Sequence, residues 1–266
     1  MIPLRDSIQT TRVPVVNWLL IAACALVFLL QLDESREDSG ITEALALIPA
    51  RLSHPDQPVT IAVGEMVDRF GRVRTVARVA ERAAVPEWLT LLTCTFLHGG
   101  LLHIVGNMLF LWIFGDNVEE RLGRLRYLVF YLGCGTAASL AHYLSDPEST
   151  MPTVGASGAI AGVMGAYLVL YPHAKVLTLV PIFFFLELVV LPAPLFLGVW
   201  FVLQLFQGVA SLGSVATGGV AWWAHIGGFG VGAAVAALLR AGGQLRPAPP
   251  AFTLTRRRFG PPRTGW

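Results

Sequence analysis

Gly155-Ala156-Ser157-Gly158-Ala159-Ile160-Ala161-Gly162-Val163-Met164-Gly165 sets one serine at the mouth of an apolar, glycine-faced segment. The run continues through Tyr167, Leu168 and Val169 to Tyr171; Pro152 and Gly155 precede it, and Pro172 closes it. That punctuation predicts one membrane helix with Ser157 in its first turn. A backbone N–H at this position has no intrahelical partner and lies at the positive end of the helix dipole, so it can receive negative charge. Gly158, Gly162 and Gly165 strip bulk from the helix, so another helix can approach beside the serine. A serine cap and small-residue packing are also ordinary features of membrane helices, so what faces this stretch decides its meaning.

Of the 266 residues, 55% are hydrophobic and only 14% charged, a balance that excludes a water-soluble domain. The expected fold class is an all-α polytopic membrane protein with six transmembrane helices and a long first outer loop. Cys24, Cys94 and Cys134 are odd in number and lie in or beside apolar segments, so they form neither a disulfide framework nor a metal-binding pair. The net charge of +2 is too small to point to nucleic acid. No phosphate-cradling loop and no dinucleotide fingerprint is present, so no cofactor and no metal are expected.

The expected spans follow from the apolar runs. Residues 13–32 are long enough to cross a bilayer. Ile21-Ala22-Ala23-Cys24 has the look of a lipoprotein cleavage box, but apolar sequence continues well past Cys24, so the helix is expected to be retained. Residues 33–88 form the long outer loop, with a short amphipathic helix at 41–48 and a hairpin pairing 59–63 with 74–79 across Gly71. Further spans are expected at 101–115, 125–144, the Ser157 helix, 194–207 and 224–239. The Phe-rich piece before Pro194 is expected to dip partly into the interface as a loop. The arm 1–12, the 116–126 loop, Lys175, Arg240 and the basic tail 241–266 hold twelve of the 19 Lys and Arg, whereas the short loops 145–154 and 208–223 hold none. Both termini are therefore expected in the cytoplasm of a multi-pass cell-membrane protein, with the tail and its Arg256-Arg257-Arg258 disordered or skimming lipid.

On this topology the second, fourth and sixth spans all begin on the outer side. Their outer ends carry His98, His103 and Asn107, then Ser157, then His225. His103 and Asn107 are four apart and share a helix face. His225 shares its face with Gly228 and Gly232, a smooth surface that can dock on the glycines after Ser157 and bring imidazole to hydroxyl. Such a pair is a nucleophile with its general base, and Asn107, His103 and the Ser157 backbone N–H are donors for an oxyanion. Each strong donor of that kind is typically worth about 3 to 4 kcal/mol. No carboxylate lies near His225 in sequence, so a Ser-His dyad is expected rather than a triad. His98 is expected to be structural, tying the first loop to the second span. Asp116 and Glu187 are expected to snorkel to interfacial water.

Over most of residues 13–240 the chain resembles the rhomboid intramembrane serine proteases. The resemblance rests on the HxxxxHxxxN run of His98, His103 and Asn107, the GxSG of Gly155 to Gly158, and the AHxxG of Ala224 to Gly228. It implies Ser157 as nucleophile, His225 as base, and His103 and Asn107 as oxyanion stabilisers, with Gly155, Gly158 and Gly228 as structural glycines beside the site. It implies transmembrane protein substrates, cut near the outer face at a small residue in an unwound helix, and lipid as the surroundings. It also implies that the fifth span and residues 210–220 serve as gate and cap. Two departures stand out: Ala161 replaces an aromatic residue that many members place against the histidine, leaving Trp222 or Trp223 to orient it, and Trp88 is followed by Leu89 rather than arginine. The competing readings are an inactive relative that binds membrane helices, and a transporter or metal channel built on the histidines.

Overall fold

The computed structural model describes residues 1–32, 40–67, 71–182, 185–211, 221–252 and 254. In chain order the described elements begin with β1 (Ile2–Asp6), α1 (Val15–Leu32), α2 (Gly40–Leu45), α3 (Pro49–Ser53), β2 (Thr60–Val67) and β3 (Val73–Val79). Then come α4 (Thr90–Thr93), α5 (Leu101–Leu122), α6 (Arg124–Ser145), α7 (Ser157–Leu170), β4 (Lys175–Ile182), β5 (Phe185–Pro192), α8 (Ala193–Ser211) and α9 (Trp222–Ala241).

Among the described residues, four helices are long and apolar enough to cross a membrane: α1, α5, α9 and residues 193–210 of α8. Their large exposed side chains, such as Leu19 and Leu26 on α1, Trp112 on α5 and Phe206 on α8, are the surface a lipid environment demands. The α6 helix matches their length with 22 residues but is less apolar. The α7 helix is short, at 14 residues, yet buried on nearly every side from Gly158 to Tyr167. A helix apolar all round belongs at the centre of a bundle, and α7 is the axis on which the others pack.

That packing is carried by absent side chains. A Cβ on Gly228 would lie 2.0 Å from the Gly158 carbonyl oxygen, one on Gly232 2.0 Å from the Gly162 carbonyl oxygen, and one on Gly165 2.2 Å from that of Phe229. The α7 and α9 backbones therefore touch directly over two turns, as the glycine spacing predicts. On the α6 side, Gly158 and Gly162 meet Ala138 and Cys134 in the same way.

The end of the bundle away from Ser157 is tied by buried polar groups. Glu119 accepts from the N–H groups of Val16 and Asn17 at 3.1 and 2.7 Å, satisfying two orphan donors at the start of α1. Asn17 donates to the Leu111 carbonyl and accepts from the Tyr127 hydroxyl, and Gly115 leaves the room for it. Asp6 accepts from Asn117 Nδ2 at 2.8 Å and from the Tyr167 hydroxyl at 2.5 Å, pinning β1 to α5 and α7.

The structure corrects the all-α expectation. Residues 176–190, read as a loop at the interface, form a hairpin in which Lys175 pairs with Pro192 and Ile182 with Phe185, and β1 adds antiparallel to β4 as a third strand. The run is rich in Val, Leu and Phe but interrupted by Pro181, so pairing two short strands satisfies backbone groups that a broken helix would leave open. The first-loop hairpin is present, with Thr60 opposite Val79 and Gly71 at a φ of +75°. The expected helix at 41–48 is shorter, and Ala46, Leu47 and Ile48 beyond it are fully buried rather than lying on a surface. The tail expected to be free is held in its described part: Arg246 N donates to Arg121 O, and Phe252 N to Ser7 O under the Arg5 guanidinium. Arg256, Arg257, Arg258 and most of the 210–220 segment lie outside the described residues.

Candidate active site

Ser157 is the first residue of α7, following Ala156 at the N-cap. The chain reaches it through Gly155, whose φ of +132° lies in a region that L side chains rarely adopt and whose N–H donates to the Cys94 carbonyl. A Cβ on Gly155 would sit 2.9 Å from His103 Nε2 and Cε1 and 3.7 Å from Ser157 Oγ. Glycine is required here for both reasons, and the imidazole of α5 and the hydroxyl of α7 border the same point.

His225 lies in the first turn of α9, next to the Gly228 contact with α7. Its Nε2 is 2.7 Å from Ser157 Oγ, and the ring is buried, 7% exposed. Its Nδ1 is 2.5 Å from Gln204 Oε1 on α8. An amide oxygen only accepts, so Nδ1 carries the proton and Nε2 turns a lone pair to the hydroxyl, the tautomer a base needs. Trp200 packs tilted against the ring at 5.7 Å, and Trp222 meets it edge-on at 6.1 Å. Of the two tryptophans expected to orient the histidine, Trp222 contacts it. Trp200 and Gln204 were not singled out in the sequence, although the two amides of an otherwise apolar helix, Gln204 and Gln207, are a signal to find Gln204 by.

Around this pair stand groups able to donate. His103 Nδ1 accepts from the Gly99 N–H at 3.3 Å, which leaves Nε2 protonated on the side facing Gly155 and Ser157. Asn107 is 9% exposed and its Nδ2 has no partner among the described residues. His98, outside the helix, packs its ring edge on His103 at 5.4 Å and is clamped through its backbone, N–H to Gln31 Oε1 and carbonyl from Gln31 Nε2. Burial, with His103 beside it, pushes the His98 imidazole down to about 4. It is therefore neutral under ordinary conditions and joins the first loop to α1 and α5. Of the remaining histidines, His54 pairs with Glu148 at the surface, and His142 is half-buried in α6 with Nδ1 unpartnered among the described residues.

The rhomboid domain family matches residues 85–242, which include Ser157, His225, Gln204, His103, Asn107 and His98 but neither Gln31 nor His54. The chain belongs to the rhomboid family. It is similar to Rhomboid protease GluP of Bacillus subtilis (strain 168), 44% identical over 82 residues that make up 31% of this chain and 16% of that protein. It is 38% identical over 82 residues to Putative rhomboid protease YdcA of the same organism, 31% of this chain and 41% of the relative. A longer match, 140 residues at 30% identity, joins it to Rhomboid protein 1, mitochondrial, of Saccharomyces cerevisiae (strain ATCC 204508 / S288c), covering 48% and 40% of the two chains. The chain thus spans less than half the length of each of these relatives. As a rhomboid-family chain with several apolar helices, it is a multi-pass membrane protein.

Proposed function

We propose that this rhomboid is an intramembrane serine endopeptidase in which Ser157 and His225 form the catalytic dyad. The observation that carries the reading is the 2.7 Å contact between Ser157 Oγ and a His225 Nε2 whose other nitrogen already holds its proton. Ser157 Oγ attacks a peptide carbonyl carbon while its proton passes to His225 Nε2. The Ser157 N–H, His103 Nε2 and Asn107 Nδ2 hold the negative oxygen, and His225 returns the proton to the leaving amine as the peptide C–N bond breaks. A water deprotonated by His225 then releases the acyl group. The Asn107 donor, which has no partner among the described residues, supports this assignment, since a buried amide without a partner is costly in a resting protein.

In this reading α6 and α7 complete a six-span bundle, both termini face the cytoplasm, and the site opens to the outer side. Residues 33–88 form the outer loop, and residues 241–266 the inner tail. Substrates are single-span membrane proteins with a small residue near the outer end of the helix. The test is cleavage of a tagged single-span reporter in liposomes by the wild type, Ser157→Ala and His225→Ala. Cleavage by the wild type alone is expected; equal cleavage by Ser157→Ala overturns the assignment.

A further inference from the structure

The amide that sets the His225 tautomer comes from a helix that is held differently from the other two. Ser157 and His225 ride on α7 and α9, whose backbones touch at Gly158, Gly162, Gly165, Gly228 and Gly232. The α8 helix has no such seam: a Cβ on Gly198 would meet nothing within 4 Å, and one on Gly208 would meet only side chains of α9. It is attached through side chains, chiefly Phe201 stacked on Phe229 at 4.7 Å, Trp200 on Phe229 and His225, and Gln204 on His225. Its opposite face, with Val202, Leu205, Phe206 and Val209, is exposed.

Gln204 is 8% exposed in that apolar helix, and burying an amide is costly unless it finds a partner. The titratable groups facing His225 are His103 on α5 and His142 on α6, and no carboxylate acts on it among the described residues. Nothing charged is therefore available to choose between the two imidazole tautomers. A histidine with Nε2 protonated cannot accept the serine proton, so the choice decides whether the base works.

We propose that Gln204 is the positioning residue of this site: its Oε1 holds His225 as the Nδ1–H tautomer, in place of the carboxylate of a triad, and does so only while α8 lies against α9. This rests on the protease reading above. Its consequence is that base competence depends on the position of a side-chain-attached helix, while the serine and histidine stay in register on the glycine seam.

The test uses the full chain in detergent at pH 8, with a serine-reactive fluorophosphonate as probe and mass spectrometry to locate the label at Ser157. In Gln204→Met, which keeps the shape and loses the acceptor, labelling and reporter turnover fall about 10- to 100-fold with KM unchanged. Gln204→Glu, which keeps an acceptor at the same reach, restores labelling to within about threefold of the wild type. Nitrogen-15 histidine NMR, with the His225 signal assigned by its loss in His225→Ala, shows a bare Nε2 in the wild type and an Nε2–H fraction in Gln204→Met. Gln204→Ala, which only removes atoms, carries the same comparison if the Met variant does not fold. A wild type that is not labelled overturns the protease reading and this proposal together. A labelled wild type with Gln204→Met labelled as fast, or with its His225 tautomer unchanged, overturns the role of Gln204 alone.

Discussion

Asn107 holds a buried amide nitrogen that nothing in the described resting site uses, and this makes its substitution informative at the scale of a single residue. Replacing a hydrogen-bonded buried amide by an apolar group of similar shape leaves its former partner unpaired, whereas replacing an unpaired one removes a cost. Asn107→Leu is therefore expected to leave the thermal unfolding temperature unchanged or raised. The same variant is expected to lower kcat on a reporter about 100- to 1,000-fold with little change in KM, because the donor acts on charge that exists only in the transition state. A fall in unfolding temperature with kcat intact would reassign Asn107 to structure. His98 acts differently: its ring nitrogens also have no partner among the described residues, but its ring packs edge-on against His103 at 5.4 Å, so its substitution is expected to act through the placement of His103.

At the scale of the element, α7 and α9 work as one unit because two glycine faces let their backbones meet. Gly232→Ala would drive a methyl to within 2.0 Å of the Gly162 carbonyl, and the helices must part to admit it. A loss of about 2 kcal/mol is expected, typical of overpacking, and activity should fall with it as His225 moves from Ser157. Gly230 lies on the same helix with nothing within 4 Å of its would-be Cβ. Gly230→Ala is expected to be neutral or to stabilise by about 0.5 to 1 kcal/mol, the usual gain from replacing a helical glycine. Thermal melts of the pair in one detergent decide between close packing and a general intolerance of α9 to bulk. The sheet of β1, β4 and β5 belongs to this scale as well: β1 docks on β4 and is anchored by Asp6.

For the whole molecule, that anchor makes stability depend on pH. Burial is the main cause that raises the Asp6 carboxyl from 3.8 to about 7, against the lowering effects of the Tyr167 hydrogen bond and Arg5. The unfolded chain releases this proton near the lower value and the folded protein near the higher, so folding takes up a proton between them. Stability from this group is full below 3.8 and is lost as pH rises through about 7. Unfolding temperature is expected to fall from pH 5.5 to pH 8.5, and Asp6→Asn to flatten that slope; an equal slope in the variant would exclude Asp6 as its source. The helices were legible in the sequence because length and apolarity report directly on what a bilayer requires, and expected ranges such as 125–144 and 224–239 lie inside the observed Arg124–Ser145 and Trp222–Ala241. The motif residues His103, Ser157 and His225 were legible because each stands in the first turn of an apolar helix. The sheet was not, because β1 and β4 are separated by more than 160 residues and a hairpin of Val, Leu and Phe reads like a fragment of a span. Gln204 was not, because an amide on one helix gains its meaning only from an imidazole on another. The sequence by itself thus determined the membrane class, the helices and the chemistry of the motifs, since these depend on local composition and spacing. Only the tertiary structure decided the sheet, the anchored tail and the partner of His225 Nδ1, since each depends on contacts between segments far apart in the chain.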